Sequence, residues 1–275
     1  MIGVGKRPVP STAEGDSISA IAVSKHFAGL AALQDVDLTL TMKTRVGLIG
    51  PNGSGKTTLL NILSGFVRPT AGRLTVGDRN VTGWPSYQIA RLGVGRTFQH
   101  TRLFGRLTAL ENVEVGAIRA GRHMSGRERR RRARATLEEV KVNEFATRTA
   151  SELSFGIRRK VEIARVLAAE PRFLLLDEPA AGVPEAERAG LAAMITGVAA
   201  QRNLGVLLID HDLSFVTAIC GHVVVLDAGS VIARGTPQAV ADDPVVIAAY
   251  IGAPVSVAPT ATRERALIDD QEERT

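Results

Sequence analysis

The sequence predicts an α/β fold in which helices pack against a parallel β-sheet. An apolar run at Arg45–Ile49 leads into a glycine-rich turn, which is followed by a segment with helical spacing. Two further apolar runs, at 173–176 and 206–209, each follow a helix-like stretch. Because strands that alternate with helices are joined by crossovers, this order is typical of a parallel sheet.

The first elements follow from the apolar pattern of the N-terminal quarter. Residues 1–16 combine proline, glycine, serine and threonine without periodicity, which predicts a loose leader. Short strands are predicted at 20–23 and 38–42, and a buried parallel strand at Arg45–Ile49. The helix predicted over 57–64 has helical apolar spacing and ends before a glycine.

The middle of the chain is predicted to be helical. Residues 101–150 lack strong strand signals and are rich in Arg, Ala, Glu and Leu, which favour helices. Helices are also predicted at 158–170 and 186–202, ahead of the two later apolar runs.

The C-terminal part predicts a hairpin and a tail. Residues 222–233 have apolar stretches on both sides of Ala228 and Gly229, which predicts a hairpin that turns at these two residues. From about Gly252 the chain changes to Pro, Ala, Thr and mixed charges, and we expect a disordered tail over 253–275.

Composition excludes several classes of protein. The chain has 275 residues, of which 45% are hydrophobic and 23% charged, so it is not intrinsically disordered. Aromatic residues make up 4%, which leaves little material for a base-stacking nucleic-acid surface. The single cysteine, Cys220, excludes a disulfide framework and a cysteine-rich metal site, so a reducing compartment is expected.

The distribution of charge and hydropathy leads us to expect a cytoplasmic protein. No apolar run approaches the roughly 18 residues that span a bilayer, and residues 1–17 lack the apolar stretch of a secretory signal. The net charge of +6 is compatible with nucleic acid, a membrane surface or polyanionic ligands. Part of this excess lies in 121–134, where a solvated helical face is favoured over a membrane-proximal or RNA-binding patch.

The glycine-rich turn is the strongest functional motif. It fits G-x-x-x-x-G-K-[ST] and has the strand before it and the helix after it that this motif requires. Glycines let backbone N–H groups converge on phosphates, and the helix N-terminus adds positive potential. Lysine can reach the β- and γ-phosphates, and the threonine hydroxyl can ligate Mg²⁺. The predicted nucleotide-binding residues here are Gly50, Pro51, Asn52, Gly53, Ser54, Gly55, Lys56, Thr57 and Thr58.

Two acids follow the apolar run at 173–176. We expect Asp177 to hold Mg²⁺, directly or through water, and Glu178 to polarise the attacking water as general base. An apolar strand that ends in two acids is a weak signal alone, but it becomes strong after a phosphate loop. Together the two motifs predict a nucleoside triphosphatase that works by positioning, charge neutralisation and water activation.

Three further positions gain meaning from their order along the chain. His211 follows a strand, at the edge where open α/β sheets bind ligands, and could bond the γ-phosphate. Gln99 is uninformative alone. Ser154 and Gly156 lie just before the helix predicted from Arg158, which makes a second anion site. Two phosphate sites in one chain make sense if the second completes the site of another subunit.

The order of these motifs resembles the complete cassette of the ATP-binding-cassette (ABC) ATPases. The resemblance covers roughly 17–252, and five motifs in the right order are highly specific. It implies a P-loop NTPase (RecA-like) parallel sheet core with an antiparallel β subdomain and a helical arm over roughly 100–157. It also implies ATP and Mg²⁺ as cofactors. In chain order the motifs are the phosphate loop, Gln99, Leu153-Ser154-Phe155-Gly156, Asp177-Glu178 and His211.

A finer resemblance is to the ATPase subunits of branched-chain amino-acid importers, the LivG-type group. It rests on residues outside the minimal motifs, at 96–104, 161–165, 177–182, 235–237 and 249–252. It implies a peripheral hydrolytic subunit at the cytoplasmic face of the plasma membrane of a bacterial or archaeal importer. Its partners would be two transmembrane permease subunits, a sister ATPase or second copy, and indirectly an extracytoplasmic substrate-binding protein. No nucleic-acid partner is expected.

The resemblance assigns a role to each motif residue. Lys56 binds phosphate and Thr57 binds Mg²⁺, with Gln99 in the Mg²⁺–water shell and coupled to the permease. Asp177 supports Mg²⁺ and Glu178 is the catalytic base.

The remaining roles concern the second subunit and the base. Leu153, Ser154, Phe155 and Gly156 form the signature, in which the serine and glycine bind the γ-phosphate across a head-to-tail dimer. His211 is the switch. Phe27 matches the aromatic that stacks on adenine, although composition alone would favour a core residue there.

The sequence departs from the general cassette pattern in two places. The common L-S-G-G-Q signature has Phe155 and Ile157 at its third and fifth positions. After Glu178 and Pro179 the usual S-x-L-D segment reads Ala-Ala-Gly-Val at 180–183 and lacks the aspartate. The aromatic residue and the Ala-Ala-Gly sequence resemble the importer subgroup. Communication between paired sites therefore does not follow from the general pattern.

Two other functions stay open at this point. One is a soluble ABC ATPase in translation or nucleic-acid maintenance, which usually has paired cassettes or a long coiled coil. The other is a transport ATPase for a different cargo, such as lipopolysaccharide or urea. The sequence names neither the cargo nor whether the partner ATPase is a second copy or a sister chain.

Overall fold

A computed structural model describes residues 16–98, 103–118 and 124–251. Within them the chain forms ten strands and nine α-helices in two sheets and a helical layer. The strands are β1 (Ser17–Phe27), β2 (Leu30–Thr41), β3 (Arg45–Ile49), β4 (Ala71–Val76), β5 (Arg79–Asn80), β6 (Val94–Arg96), β7 (Phe173–Asp177), β8 (Gly205–Ile209), β9 (His222–Asp227) and β10 (Ser230–Gly235). The helices are α1 (Lys56–Leu63), α2 (Ser86–Arg91), α3 (Ala109–Gly116), α4 (Gly126–Glu139), α5 (Phe155–Leu167), α6 (Glu185–Gln201), α7 (Leu213–Ile219), α8 (Pro237–Ala241) and α9 (Pro244–Ile251).

The six-stranded sheet has the order β10-β9-β3-β8-β7-β6 and positions the predicted site. All its pairs are parallel except β9 with β10. β7 and β8 are buried along their whole length, as expected for parallel strands covered on both faces. Leu48 and Asp177 both pair with Ile209, so β3, β7 and β8 end level with one another.

Alternating side chains of this sheet enter two separate cores. Leu174 and Leu176 of β7 pack on the side of the helical layer, with α3 to α6. Phe173 and Leu175 pack on the opposite side, with α1 and the antiparallel sheet. This alternation follows from the two-residue period of a strand. The sheet is therefore the middle of three layers, which confirms the predicted α/β class.

The antiparallel sheet has the order β2-β1-β4-β5 and covers α1. β1 and β2 are much longer than the strands predicted at 20–23 and 38–42. Their pairing is interrupted between Ala20 and Val23, where Ala22 takes a positive φ of 49° and donates its N–H to Asp37. The prediction was short because irregular pairing and exposed polar residues interrupt the alternation on which it relied.

The helical arm is formed by α3, α4, two 3-10 turns and the start of α5. This confirms the helical prediction for the described part of 101–150. Capping boxes begin α3 at Thr108 and Glu111, and α4 at Ser125 and Glu128. In α4 the buried residues include Ala133 and Leu137, and most arginines of 127–134 lie exposed, as expected of a solvated helical face.

Other local predictions met different outcomes. The hairpin turn at Ala228 and Gly229 is confirmed, with φ of 43° and 82°, and α1 ends before Gly65 at φ 73°. The strands β4, β5 and β6 were not predicted, because they lack the apolar runs that mark the five-residue strands β3, β7 and β8. The short helices α2, α7, α8 and α9 were not predicted either. The predicted start of α5 at Arg158 was wrong by three residues, since Ser154 caps this helix.

The leader over 1–15, the tail from 252 onward and Gln99 lie outside the described residues. In the described ranges, no helix is both long enough and apolar enough to cross a membrane.

Candidate functional site

The phosphate loop joins β3 to α1 and depends on glycine. Gly50, Gly53 and Gly55 all have positive φ, at 145°, 80° and 103°. A Cβ at Gly50 would lie 1.9 Å from the Leu226 carbonyl oxygen of β9, so no other residue fits this position. The loop therefore keeps the backbone conformation that favours an anion-binding concavity at the N-terminus of α1.

Lys56 is turned into this loop. Its side chain is buried, and Nζ donates to the carbonyl oxygens of Gly50 and Pro51, at 2.8 Å each, and lies 3.4 Å from Ser54 Oγ. Burial lowers the pKa of Lys56, and the negative charge of Glu178 acts in the opposite direction. Phosphate oxygens could replace the two carbonyl groups as partners of the ammonium.

The other residues of the loop and first helical turn differ in exposure. Asn52, Gly53 and Thr57 are exposed, whereas Pro51, Gly55 and Thr58 are half-buried and Ser54 is buried. The Thr57 hydroxyl is therefore open to a ligand bound in the loop.

Asp177 ends β7 and is held by Arg96, an arginine to which the sequence motifs assign no role. Its Oδ2 accepts a hydrogen bond from Arg96 Nη2 at 3.0 Å, and both side chains are largely buried. Burial raises the pKa of Asp177, while the bond and charge of Arg96 counteract this rise. Arg96 Nη1 also donates to Asn61 and Ser64 at the end of α1, at 2.7 and 2.9 Å. The predicted Mg²⁺ residue thus has a fixed orientation.

Glu178 and His211 are in direct contact. His211 Nε2 lies 2.8 Å from Glu178 Oε1, and the histidine is exposed while the glutamate is mostly covered. Glu178 has a φ of 48°, in the left-handed region that a residue with a side chain rarely adopts. Its backbone N–H donates to Ile209 at 2.8 Å, which ties it to the end of β8. Two residues predicted from separate motifs therefore form one pair.

A buried carboxylate supports the same strand end. Asp210 lies between Ile209 and His211, and its Oδ2 accepts the Ala180 N–H at 3.0 Å. Burial raises the pKa of Asp210, and hydrogen bonds from backbone N–H groups, including that of Asp212, lower it. Asp210 thereby joins the segment after β7 to the segment after β8.

Phe27 lies at the end of β1, where it pairs with Leu30 across a tight connection. Its side chain is 46% exposed, and Lys25 Nζ lies 4.8 Å from the ring centroid. The next strand, β2, approaches the phosphate loop, since a Cβ at Gly55 would lie 2.6 Å from the Ala32 carbonyl oxygen. Phe27 is therefore an exposed aromatic on the hairpin next to the loop, not a core residue.

The signature residues form the beginning of α5. Leu153 is buried, and the exposed Ser154 caps the helix by accepting the Ile157 N–H at 3.4 Å. Phe155 and Gly156 occupy the first turn. The serine hydroxyl and the helix N-terminus thus lie together, as the predicted second anion site requires.

The two departures from the general cassette pattern contact each other. Gly182 has a φ of 74°, and a Cβ there would lie 2.8 to 3.3 Å from atoms of the Phe155 ring. The aromatic ring therefore lies over the Ala-Ala-Gly segment and needs its glycine. This contact joins the signature to the segment that follows Glu178.

A second arginine, also missed by the sequence analysis, lies between the predicted loops. Arg159 is fully buried in α5, and its Nη1 lies 2.8 Å from Glu162 Oε2. The same guanidinium donates to the carbonyl oxygens of Phe98, at 3.2 Å, and Glu178, at 3.5 Å. The sequence feature that could have identified it is the pair of opposite charges, Arg159 and Glu162, three residues apart on an otherwise apolar face of the helix.

The residues present include oxygen donors of the kind that a magnesium nucleotide takes from a protein. Within the ranges that the structure describes, no group of three His, Cys, Asp or Glu side chains could hold a metal ion. Mg²⁺ commonly takes one or two protein oxygens together with phosphates and waters. The Thr57 hydroxyl and the Asp177 carboxylate supply such oxygens.

Comparison with known families gives two matches. The model described as "ABC transporter" matches residues 33–181. The model described as "Branched-chain amino acid ATP-binding cassette transporter" matches residues 230–256. The two matches cover the phosphate loop, the signature, the acidic pair and the C-terminal hairpin strand β10 with its following helices.

Individual relatives are similar over nearly their full length. The high-affinity branched-chain amino acid transport ATP-binding protein BraF of Pseudomonas aeruginosa is 43% identical over 84% of this chain and 95% of its own length. LivG of Escherichia coli, with the same description, is 40% identical over 86% and 97%. A solved ABC transporter cassette in its ADP conformation shares 30% identity with a TM-score of 0.77, and covers 86% of this chain and 99% of its own.

We predict that Gly182→Ala destabilises the fold in two separable ways. The left-handed backbone costs about 1–2 kcal/mol for a residue with a Cβ, and crowding against Phe155 adds about 1–3 kcal/mol. When Phe155 is also replaced by alanine, Gly182→Ala should cost only the free energy of the left-handed backbone. Urea denaturation of the natural protein, the two single variants and the double variant measures how much the cost of Gly182→Ala depends on Phe155.

The matched control is Gly190→Ala in α6, where a Cβ would meet nothing within 4 Å. This change should stabilise the helix by up to about 1 kcal/mol. Equal destabilisation by Gly182→Ala with and without Phe155 would contradict the contact.

Proposed function

Since the chain belongs to the ABC transporter ATP-binding family, we propose that it is the ATP-hydrolysing subunit of an importer for branched-chain amino acids or related small polar solutes. The ATPase activity is supported above all by one observation: Lys56, Asp177 and the Glu178–His211 pair lie together at one edge of the sheet. The importer class is supported by the C-terminal family match at 230–256 and by the names of the relatives.

ATP binds with its phosphates in the loop Gly50–Thr57. Lys56 exchanges the carbonyl groups of Gly50 and Pro51 for oxygens of the β- and γ-phosphates. Its burial means that little water competes for the ammonium. Phe27 offers its exposed ring to the adenine. The loop supplies backbone N–H groups, and α1 adds the positive end of its dipole.

Thr57, Asp177 and Gln99 would hold Mg²⁺. When bound, the ion neutralises part of the phosphate charge. The fixed bond from Arg96 orients the Asp177 carboxylate, so one oxygen is committed to the arginine and the group cannot rotate freely.

Glu178 is the general base. Its carboxylate takes a proton from the water that attacks the γ-phosphate, and His211 Nε2 holds that carboxylate in place. His211 is largely exposed and therefore remains accessible to a γ-phosphate. Loss of that phosphate removes a partner of the histidine, which makes the pair a sensor of the nucleotide state.

The signature serves a second ATPase subunit. Ser154 and Gly156 at the N-terminus of α5 bind the γ-phosphate of the other chain in a head-to-tail dimer, with Leu153 and Phe155 fixing the turn. ATP binding closes this sandwich and hydrolysis reopens it, because γ-phosphate contacts exist in one state only. The second chain is either a copy of this one or a sister ATPase.

The cassette extends over 17–252, with the helical arm inserted at roughly 100–157. The protein binds peripherally to the cytoplasmic face of the plasma membrane through two transmembrane permease subunits. An extracytoplasmic substrate-binding protein is an indirect partner, and nucleic acid is not. Support comes from the transport descriptions of the relatives and from the low aromatic content.

We predict that Glu178→Gln keeps ATP binding and lowers hydrolysis by about 10²-fold or more, since an amide cannot accept the proton. Phosphate release and nucleotide affinity are measured on the same preparation. In the control variant Lys56→Ala, both affinity and hydrolysis should fall. Near-normal ATP hydrolysis by Glu178→Gln would show that Glu178 is not the general base.

We predict that the tagged chain, recovered from gently solubilised native membranes, brings down two multi-spanning subunits, with or without a second cassette. Mass spectrometry identifies the copurifying chains, and an untagged preparation controls for carry-over. Recovery of ribosomes, nucleic acid or no membrane protein would contradict the importer and favour an ABC ATPase outside transport.

A further inference from the structure

We propose that Arg159 and Glu162 of α5 are positioning residues, which hold the backbone beside Gln99 and the backbone of Glu178 in the geometry needed for hydrolysis. The proposal rests on the proposed ATPase function and deepens it. Neither residue belongs to the phosphate loop, the signature or the acidic pair. Glu162 lies in the stretch 161–165 of the finer resemblance, which assigns it no role.

The pair holds the backbone of Phe98 on both sides of its Cα, at the C=O and at the N–H. Arg159 Nη1 donates to the Phe98 carbonyl oxygen at 3.2 Å. The backbone of Phe98 also hydrogen-bonds the Glu162 carboxylate, where it opposes the rise in pKa that burial causes. Phe98 directly precedes Gln99 in the chain, so the pair fixes the last described backbone position before the glutamine.

The Arg159 guanidinium also contacts the backbone of Glu178, the proposed general base. Arg159 Nη2 lies 3.5 Å from the carbonyl oxygen of Glu178, whose N–H is bound to Ile209 on the other side. Glu178 thus has its peptide groups held from α5 and from β8. Its φ of 48° is a conformation that persists only when the surroundings enforce it. Arg159 is one of the groups that enforce it.

Stability alone does not account for this pair. Both side chains are fully buried, and replacing a buried ion pair by well-packed apolar residues is often neutral or stabilising. What apolar residues cannot supply is a donor for the carbonyl groups of Phe98 and Glu178. The fork of the guanidinium serves three acceptors in a fixed plane, which a lysine ammonium does not match.

The position of Arg159 in α5 also links the signature, the backbone before Gln99 and the backbone of Glu178. The α5 helix has Ser154 as its N-cap, Gly156 in its first turn and Arg159 in its second. A change at the signature is therefore transmitted to the peptide groups next to Gln99 and Glu178 without an intervening loop.

The deciding variant is the double replacement Arg159→Met with Glu162→Leu. The single change Arg159→Met removes the cation that is hydrogen-bonded to the buried Glu162 carboxylate and leaves only the more distant charge of Arg165, so it should lower the melting temperature strongly. The double variant removes both charges and should recover most of that loss. We expect kcat for ATP hydrolysis to stay at least about tenfold below that of the natural chain, with KM and ATP affinity within about twofold.

The conservative variant Arg159→Lys provides the second measurement if the double variant folds poorly. It keeps a positive charge near Glu162 but loses the fork, so kcat should fall while KM is retained. The matched control is Arg202→Met with Glu139→Leu, a part-buried pair in which the arginine also donates to the backbone carbonyl of Leu167. That change should alter the melting temperature and leave kcat unchanged.

Recovery of both melting temperature and kcat in the double variant, or normal kcat in Arg159→Lys, would overturn the positioning role. These results are distinct from failure of the proposed function. In that case the natural chain would not hydrolyse ATP, or Glu178→Gln would hydrolyse it normally.

Discussion

The parallel pairing of β3, β7 and β8 is the constraint on which the site depends. Leu48 and Asp177 share Ile209 as their partner, so the three strands end at the same level. The residues that follow each strand must then emerge at one edge, and they are the phosphate loop, Glu178 and the Asp210–His211 segment. A register slip in any one strand would move its acid or histidine to the other face of the sheet.

Buried polar groups then fix what the strands bring together. Arg96 ties Asp177 to the end of α1, and Asp210 ties Ala180 to the strand end of β8. Arg159 does the same for the peptide groups of Phe98 and Glu178. Each of these charged groups has a hydrogen-bond partner, and a buried charge that lost its partner would destabilise the fold. The backbone at this edge of the sheet therefore has little conformational freedom. The residues that we propose for hydrolysis are thereby preorganised rather than assembled from mobile loops.

The sequence predicted the parts of this arrangement that depend on local pattern. The apolar runs of β3, β7 and β8, the glycine-rich turn and the helical arm could be recognised because spacing and composition carry their signal. The partners Arg96 and Arg159 could not be recognised, since they are separated from Asp177 and Glu178 by more than fifteen residues of chain.

Phe155 and Gly182 each depart from the general cassette pattern, and only their contact in the structure shows that the glycine accommodates the aromatic ring. Short elements such as β5 and β6 owe their existence to neighbouring strands rather than to their own residues.

Hydrogen–deuterium exchange with and without saturating ATP and Mg²⁺ tests whether the three strand ends form one nucleotide site. We predict protection in peptides covering 50–58, 177–182 and 209–212 together, with little change in β4 and α4. Protection confined to 50–58, with the ends of β7 and β8 unaffected, would contradict it. The nucleotide would then bind the phosphate loop without engaging the acids and the histidine.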